Sequence, residues 1–424
     1  MTPGLDRAGG ERFERLAAGL AERGCEALLV LARSAVDPDL AAFVGDVHLG
    51  DSFVLAPRDP SKGPARLGYL TPMERDEAAA TGLVPLDPKS LGVNRWGTSQ
   101  PDPAELLAAV VAKGLELCGI EPGRIALAGH GQAGVLWAAG SRLAAGGWTL
   151  VPGNDLVLHL RKKKTLGEMA AIRAAAEGAC GAFRAVARLL AAAEEKLGER
   201  EGELWLEGEP LRLARLRTEI ARTLAGYGLE QPRGSIVAAG NESAVPHSAG
   251  DPEHVLRAGE ALIVDLYPHG RLFADCTRTF CVGEPPEALA GAHAQVEEAL
   301  ALAHRRALPG VRGWDLQEEV CALLGGYGHP TPISHPGTTA GYVHGLGHGV
   351  GFDLHEYPSF RKDTGAEGLL AEGDVITLEP GLYQPEGEGE PGWGVRLEDL
   401  VALTPGGPEL LTPLPYDLDP RAWD

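Results

Sequence analysis

The sequence predicts an α+β protein in two parts, a smaller N-terminal α/β domain over residues 1–158 and a larger C-terminal domain over residues 159–424. Three observations carry this. Short apolar runs alternate with helical stretches through the first part, the pattern of an α/β layer. At about residue 159 the texture changes to long alanine-rich helices, after which helices and strands come in blocks. Almost all of the clustered His, Asp and Glu falls in the second part.

In order along the chain, "RFERLAAGLAERG" reads as an amphipathic helix leading into the strand "CEALLVLA". The runs "DSFVLAPR", "ARLGYL", "RIALAG" and "WTLVPG" supply further strands. The basic run Arg161 to Lys164 reads as a solvated helix start, one that could also contact an acidic neighbour. Behind it, "LGEMAAIRAAAEGACGAFRAVARLLA" has its apolar residues at helical spacing, and "LRLARLRTEIARTLAGYG" forms the next helix. Strands follow in "GSIVAAG", "ALIVDLYPHG" and "LFADCTRTFCVG", with a turn at Pro268 to Arg271, then helix from about 287 to 326. The last strands are "DVITLEPGLY" and "WGVRLEDLVALT".

Composition excludes several classes. The chain has 424 residues, 44% hydrophobic and 23% charged, which is ordinary for a globular protein. Lys and Arg number 38 against 59 Asp and Glu, and the net charge of −21 would repel a phosphate backbone, so nucleic acid is not an expected partner. The N-terminus lacks the apolar stretch of a signal peptide, and no run approaches a membrane span. Six cysteines, at 25, 118, 180, 276, 281 and 321, form no metal or disulfide spacing and suit reduced, mostly buried thiols in the cytoplasm.

The candidate chemistry centres on "VHGLGHGVGFDLHEY", residues 343–357, with three histidines. A helical H-E-x-x-H zinc site is excluded, since His355-Glu356 runs into Tyr357-Pro358 and proline breaks the helix that would align the pair. The carboxylates Asp265, Asp275, Glu379 and Glu398 each lie in or just after an apolar β-type run. An unpaired ionised carboxylate is costly there, and four together call for a shared positive partner such as divalent metal.

The segments "SAVPHSAGD", "VDLYPHGRLFADCTRTF", "HGLGHGVGFDLHE", "ITLEPGLY" and "GVRLED" resemble, in order, the catalytic segments of the M24 pita-bread metallopeptidases, in the Xaa-Pro dipeptidase and aminopeptidase P branch. The resemblance spans about residues 160–410, and the first domain is similar to the creatinase-like N-terminal domain of those proteins. It implies metal ligands Asp265, Asp275, His348, Glu379 and Glu398, with Asp275 and Glu398 bridging two divalent ions. Mn²⁺ is the first expectation from this oxygen-rich set, with Co²⁺ or Zn²⁺ as alternatives. It implies Glu379 as proton shuttle, His355 and His247 as hydrogen-bond donors to the scissile carbonyl, and His344 beside the residue after the cut. Those relatives separate the two aspartates by eleven positions. Here the spacing is ten, a shortening expected to be absorbed in the turn.

The expected activity is hydrolysis of the bond preceding proline in Xaa-Pro dipeptides by a metal-activated water, in a cytoplasmic homodimer. The alternative is an aminopeptidase P acting on longer peptides. Creatinase-like hydrolysis without metal, and a non-enzymatic peptide-binding scaffold, both sit poorly with five intact ligand positions. A dipeptidase must also hold the proline carboxylate. His344 and Arg396 are the candidates, against a loop hydrogen bond for His344 and a salt bridge to a ligand carboxylate for Arg396.

Overall fold

Strand β1 (Ala27–Ala32), after helix α1 (Arg7–Glu22), is apolar at every position because it is covered on both faces. Leu28, Val30 and Ala32 enter one core with Leu16 and Leu20 of α1, while Ala27, Leu29 and Leu31 enter the other. The computed structural model describes residues 7–32, 37–96, 101–387 and 389–423. The chain divides into two compact units, one ending at Arg161 and one starting at Lys162.

The first unit continues with α2 (Pro38–Val44), β2 (Ser52–Pro57), β3 (Arg66–Tyr69), α3 (Arg75–Ala80), β4 (Val84–Leu86), α4 (Pro103–Leu117), β5 (Arg124–Gly129), α5 (Ala133–Ala145), β6 (Thr149–Pro152) and α6 (Asn154–Lys162). Its six-stranded sheet has the order β4-β3-β2-β1-β5-β6, antiparallel at β1–β2 and β2–β3 and parallel at β1–β5 and β5–β6. Leu156, Val157 and Leu160 of α6 pack into this unit's core, so the boundary falls at the end of that helix and a few residues beyond 158. Burying a leucine side chain of this kind stabilises by about 1.5–3 kcal/mol.

The basic run departs from the solvated reading. Arg161 is 2% exposed and donates to Asp39 Oδ1 at 2.8 Å. Lys164 is also buried, its Nζ 2.7 Å from Glu356 Oε1. A buried cation persists only with a paired acid, and both acids lie far off in sequence, where charge patterning cannot find them.

In the second unit α7 (Leu166–Ala191) starts at a capping box formed by Thr165 and Glu168. A small sheet of β7 (Glu194–Glu195), β8 (Leu204–Leu206) and β9 (Glu209–Pro210) precedes α8 (Leu213–Gly226). Strands β10 (Ile236–Ala239), β11 (Leu262–Leu266) and β12 (Cys276–Phe280) form an antiparallel sheet. Helices α9 (Glu287–Arg306) and α10 (Gly313–Gly326) follow. Then come β13 (His348–Gly349), β14 (Glu356–Ser359), β15 (Val375–Leu378), β16 (Gly381–Gln384), β17 (Trp393–Arg396), β18 (Asp399–Thr404) and β19 (Gly407–Leu410). The last sheet runs β14-β13-β15-β18-β19, with β16 and β17 paired separately. Val296 and Leu300 of α9 and Leu316, Val320 and Leu324 of α10 pack on Ile376, Leu378, Leu382, Val395 and Val401.

Two local features position the chemistry. Between β11 and β12 the ladder is regular from Leu262↔Phe280 to Leu266↔Cys276, and the chain reverses through a His269↔Phe273 bridge. The ten-residue spacing is thus absorbed beyond the ladder. At β13, a Cβ on Gly347 would stand 2.1 Å from the Thr377 carbonyl oxygen, and one on Gly349 would stand 2.1 Å from that of Tyr357. Glycine on each side of His348 lets this short strand lie against its neighbours.

Candidate active site

Asp265 lies on β11 opposite Thr277 of β12, and Asp275 immediately precedes β12. Glu379 follows β15, where its N–H donates to Leu346 O at 2.7 Å. Glu398 sits at the corner between β17 and β18 and is bridged to Thr277. Alternation along β12 then sorts the motif "CTRTF". Thr277 donates to Glu398 Oε2 at 2.7 Å, whereas Arg278 turns the other way to Asp399, also at 2.7 Å.

These elements bring Asp265, Asp275, His348, Glu379 and Glu398 to one cavity of about 850 Å³, and His247, His344, His355 and Arg396 line it too. The donor atoms fit divalent cations. Ligand atoms of Asp275, His348 and Glu398 lie within 4.8 Å of one another. His348 Nε2 stands 3.7 Å from Asp275 Oδ2 and 3.6 Å from Glu379 Oε1, too far for hydrogen bonds. Its Nδ1 is 3.1 Å from Gly349 O, so the Nδ1–H donates there and leaves the Nε2 lone pair directed at the carboxylates. Asp265 Oδ1 is buried without a hydrogen-bond partner.

The electrostatics agree with that donor set. Burial, then the charges of Glu398, Asp265 and Glu379, hold the Asp275 carboxyl well above its ordinary range. Burial beside Glu379 and Asp265 does the same to Glu398. Glu379 is pushed up to about 8 by burial, with Asp265 adding and Arg396 opposing. Burial lowers His348 to about 3, with His355 adding, so the imidazole is neutral and able to ligate. Without metal cations the negative charge of these acids is relieved by Arg396 and by protonation.

A second acidic group, Asp37, Asp39 and His130 in the first unit, meets the same distance condition. Its carboxylate oxygens are already occupied. Asp37 accepts from the N–H groups of Asp39, Leu40 and His130, and Asp39 from Gly129 N–H and Arg161. That group is a helix cap with an ion pair.

Arg396 is 3% exposed and its donors are committed. Nη2 reaches Asp265 Oδ2 at 2.7 Å, Nη1 reaches Tyr383 Oη at 2.7 Å and Pro246 O at 3.2 Å, and Nε reaches Thr277 Oγ1 at 3.3 Å. The salt bridge to a candidate ligand, one of its two sequence readings, is the arrangement present. His344 Nδ1 donates to Gly345 O at 2.8 Å, so Nε2 accepts from Tyr383 Oη at 2.9 Å. Burial lowers His344 to about 4, with Arg396 adding. His355 packs edge-on against His348 at 4.2 Å between ring centroids, and its pKa is lowered by burial, with Arg233 and His247 adding and Asp353 opposing.

Sequence reading missed several cavity residues. Tyr267 shares the face of Asp265, a period-two signal that was available. Tyr383 links Arg396 to His344 through contacts that no local pattern announces. Arg217 and Arg233 approach from α8 and the loop before β10.

Comparison with known proteins agrees with this architecture. The pattern of metallopeptidase family M24 matches residues 170–405, and the chain belongs to that family. An Xaa-Pro dipeptidase of Pyrococcus furiosus is 33% identical over 264 residues, 61% of this chain and 65% of the relative. A probable dipeptidase PepE of Mycobacterium tuberculosis is 30% identical over 208 residues, 48% of this chain and 51% of the relative. In sequence the chain thus spans less than two thirds of the length of these curated relatives. In structure it matches the prolidase from Pyrococcus horikoshii OT3 with a TM-score of 0.72 at 22% identity, covering 96% of this chain and 99% of that one. It matches an X-Pro aminopeptidase from Thermotoga maritima with a TM-score of 0.70 at 24% identity, covering 94% and 98%. The fold is therefore a C-terminal pita-bread domain with a smaller N-terminal α/β domain.

Proposed function

We propose that this chain is a metal-dependent peptidase that hydrolyses the bond preceding proline in Xaa-Pro dipeptides. The observation that carries the reading is the convergence of four carboxylates and a neutral imidazole on one cavity, with Asp265 Oδ1 buried and unpartnered. The Xaa-Pro dipeptidase likeness supports the substrate class.

Asp265, Asp275, His348, Glu379 and Glu398 would hold two divalent cations, with Mn²⁺ as the preferred ion of an oxygen-rich set. When bound, the cations supply Lewis-acid polarisation of the scissile carbonyl and acidify water. Glu379 accepts the proton of the attacking water and passes it to the leaving nitrogen, which in an Xaa-Pro bond is a tertiary amide that needs protonation to depart. His355 and His247 donate hydrogen bonds to the carbonyl oxygen as charge develops there. His344, held by Gly345 and Tyr383, borders the proline site. Arg396 holds and orients Asp265 through its 2.7 Å ion pair.

Six buried, unbridged cysteines suit a reducing compartment, and we place the protein in the cytoplasm. Homodimeric assembly completes the proposal. No helix of the described residues is long and apolar enough to cross a membrane.

A cavity of about 850 Å³ lies toward the upper end of the usual ~300–1,000 Å³ for small-molecule sites and also admits longer chains. Aminopeptidase P activity on longer peptides is the second reading. Ala-Pro, Ala-Pro-Ala, a longer Xaa-Pro peptide and Ala-Ala, each assayed with Mn²⁺ after chelation, separate the two. Ala-Pro should be cut fastest and Ala-Ala not at all. Faster cleavage of the longer peptides would replace the dipeptidase by an aminopeptidase.

A further inference from the structure

We infer that Arg233 receives a carboxylate of the substrate, releasing Asp353 as it does so. This rests on the peptidase reading and names the residue that would select its ligands. Three arginines line the cavity, and they differ in what they can still bind. Arg396 is engaged through Nε, Nη1 and Nη2. Arg217 spends Nη2 on the carbonyl oxygens of Val237, Ala249 and Gly250, holding the wall beside His247 together. Arg233 has one side-chain partner, Asp353 Oδ1 at 2.6 Å from Nη2.

That pair is open to water. The Arg233 side chain is 56% exposed and that of Asp353 26%, so the bond is worth little and another carboxylate can replace it without leaving a charge buried. The guanidinium presents a planar fork that a carboxylate matches with two parallel hydrogen bonds. The wider field favours an anion as well. Two divalent cations would offset the four carboxylates of Asp265, Asp275, Glu379 and Glu398, leaving the three arginines set against Asp353 and a positive surplus around the cavity.

The exchange also reaches the loop that carries His355. Asp353 Oδ1 accepts from Leu354 N–H at 2.8 Å, and His355 is the next residue. Both Arg233 and Asp353 are near enough for their charges to act on the His355 ring. A ligand that draws Arg233 away leaves Asp353 Oδ1 to hold this turn through the Leu354 N–H. Arg233 thus acts as a specificity-determining residue, its ligand a carboxylate supplied by the C-terminal proline or by an acidic first residue.

The test compares acids with their amides in metal-loaded wild type, Arg233→Ala, Arg233→Lys and Asp353→Asn. Ala-Pro and Ala-Pro amide probe the terminal carboxylate, and Glu-Pro amide against Ala-Pro amide probes the side chain. Calorimetric binding of L-proline against L-prolinamide supplies a readout without turnover. Arg233→Ala should raise KM about 10-fold or more for the acid that supplies the carboxylate and leave the matching amide unchanged. Lysine should restore part of the loss. Asp353→Asn should tighten proline binding, because an internal competitor is gone, if the terminal carboxylate is the source; if the side chain is, the gain should fall on Glu-Pro amide. An equal fall in kcat for acids and amides in Arg233→Ala would mark a purely structural tether and overturn the inference, as would an unchanged acid-to-amide ratio for every ligand. Failure of the wild type to cut any Xaa-Pro peptide would instead overturn the peptidase reading; the proline and prolinamide titrations would still judge Arg233, and a wild type that binds both alike would overturn its role.

Discussion

The Thr277 hydroxyl donates to Glu398 Oε2 at 2.7 Å and accepts from Arg396 Nε at 3.3 Å, so one small side chain fixes both a candidate ligand and the arginine that holds Asp265. Thr277→Val keeps the shape and removes both bonds. Metal affinity should fall about 10- to 100-fold, as for other groups that orient ligands, and an unchanged Mn²⁺ titration would contradict that role. Glu379→Gln should lower turnover by at least about 10²-fold with the fold intact, because it removes the proposed proton carrier; near-native turnover with metal bound would rule that role out. The same residue carries a pH dependence. In the metal-free protein its carboxyl is raised to about 8 from an ordinary 4.5, chiefly by burial. A group raised in the folded state stabilises fully below its unfolded value, and the contribution is lost as pH rises from about 4.5 through about 8. Melting temperatures of metal-free protein across that interval should therefore fall more steeply for wild type than for Glu379→Gln, and parallel curves would contradict it. The four acids stood out in the sequence because unpaired carboxylates are expensive in apolar strands, and His348 through the resemblance of its segment; the structure brings all five to one cavity. A salt bridge from Arg396 to a ligand carboxylate was one of two readings, and the packing of β11 against β17 makes Asp265 that partner.

Strand β12 shows what an element contributes beyond its pattern. Thr277 and Thr279 point to one side and bind Glu398 and the Arg396 carbonyl, while Arg278 points to the other and binds Asp399 with both side chains fully buried. Asp399 also accepts from His304 Nε2 and Tyr416 Oη, at 2.8 and 2.6 Å. Removing Arg278 leaves that carboxylate buried without its main cation. Arg278→Met should cost about 3–5 kcal/mol in denaturant unfolding of the second unit; a loss below about 1 kcal/mol would mean that His304 and Tyr416 suffice. The run "LFADCTRTFCVG" was readable as a strand. Its partners lie more than a hundred residues away, which no local periodicity encodes. Lys164 and Glu356 repeat the lesson, since a basic run that looks solvated on its own is buried once a distant acid meets it.

At the scale of the whole molecule, the two units have separate cores, and every candidate ligand lies in the unit that begins at Lys162. Calorimetric unfolding should show two transitions, with Mn²⁺ raising one and leaving the other in place, because a ligand stabilises only the unit that binds it. A single transition that moves as a whole would contradict independent units. The change in texture puts the expected division after residue 158, while the compact units part after Arg161 because Leu156, Val157 and Leu160 pack backward, a contact with no sequence marker.

The most direct measurement strips the protein with chelator, then adds Mn²⁺ in known equivalents while bound metal and Ala-Pro hydrolysis are followed together. The expected result is loss of activity on stripping and its return as the second equivalent per chain binds. Full turnover in protein shown by elemental analysis to be free of metal would contradict the two-metal peptidase.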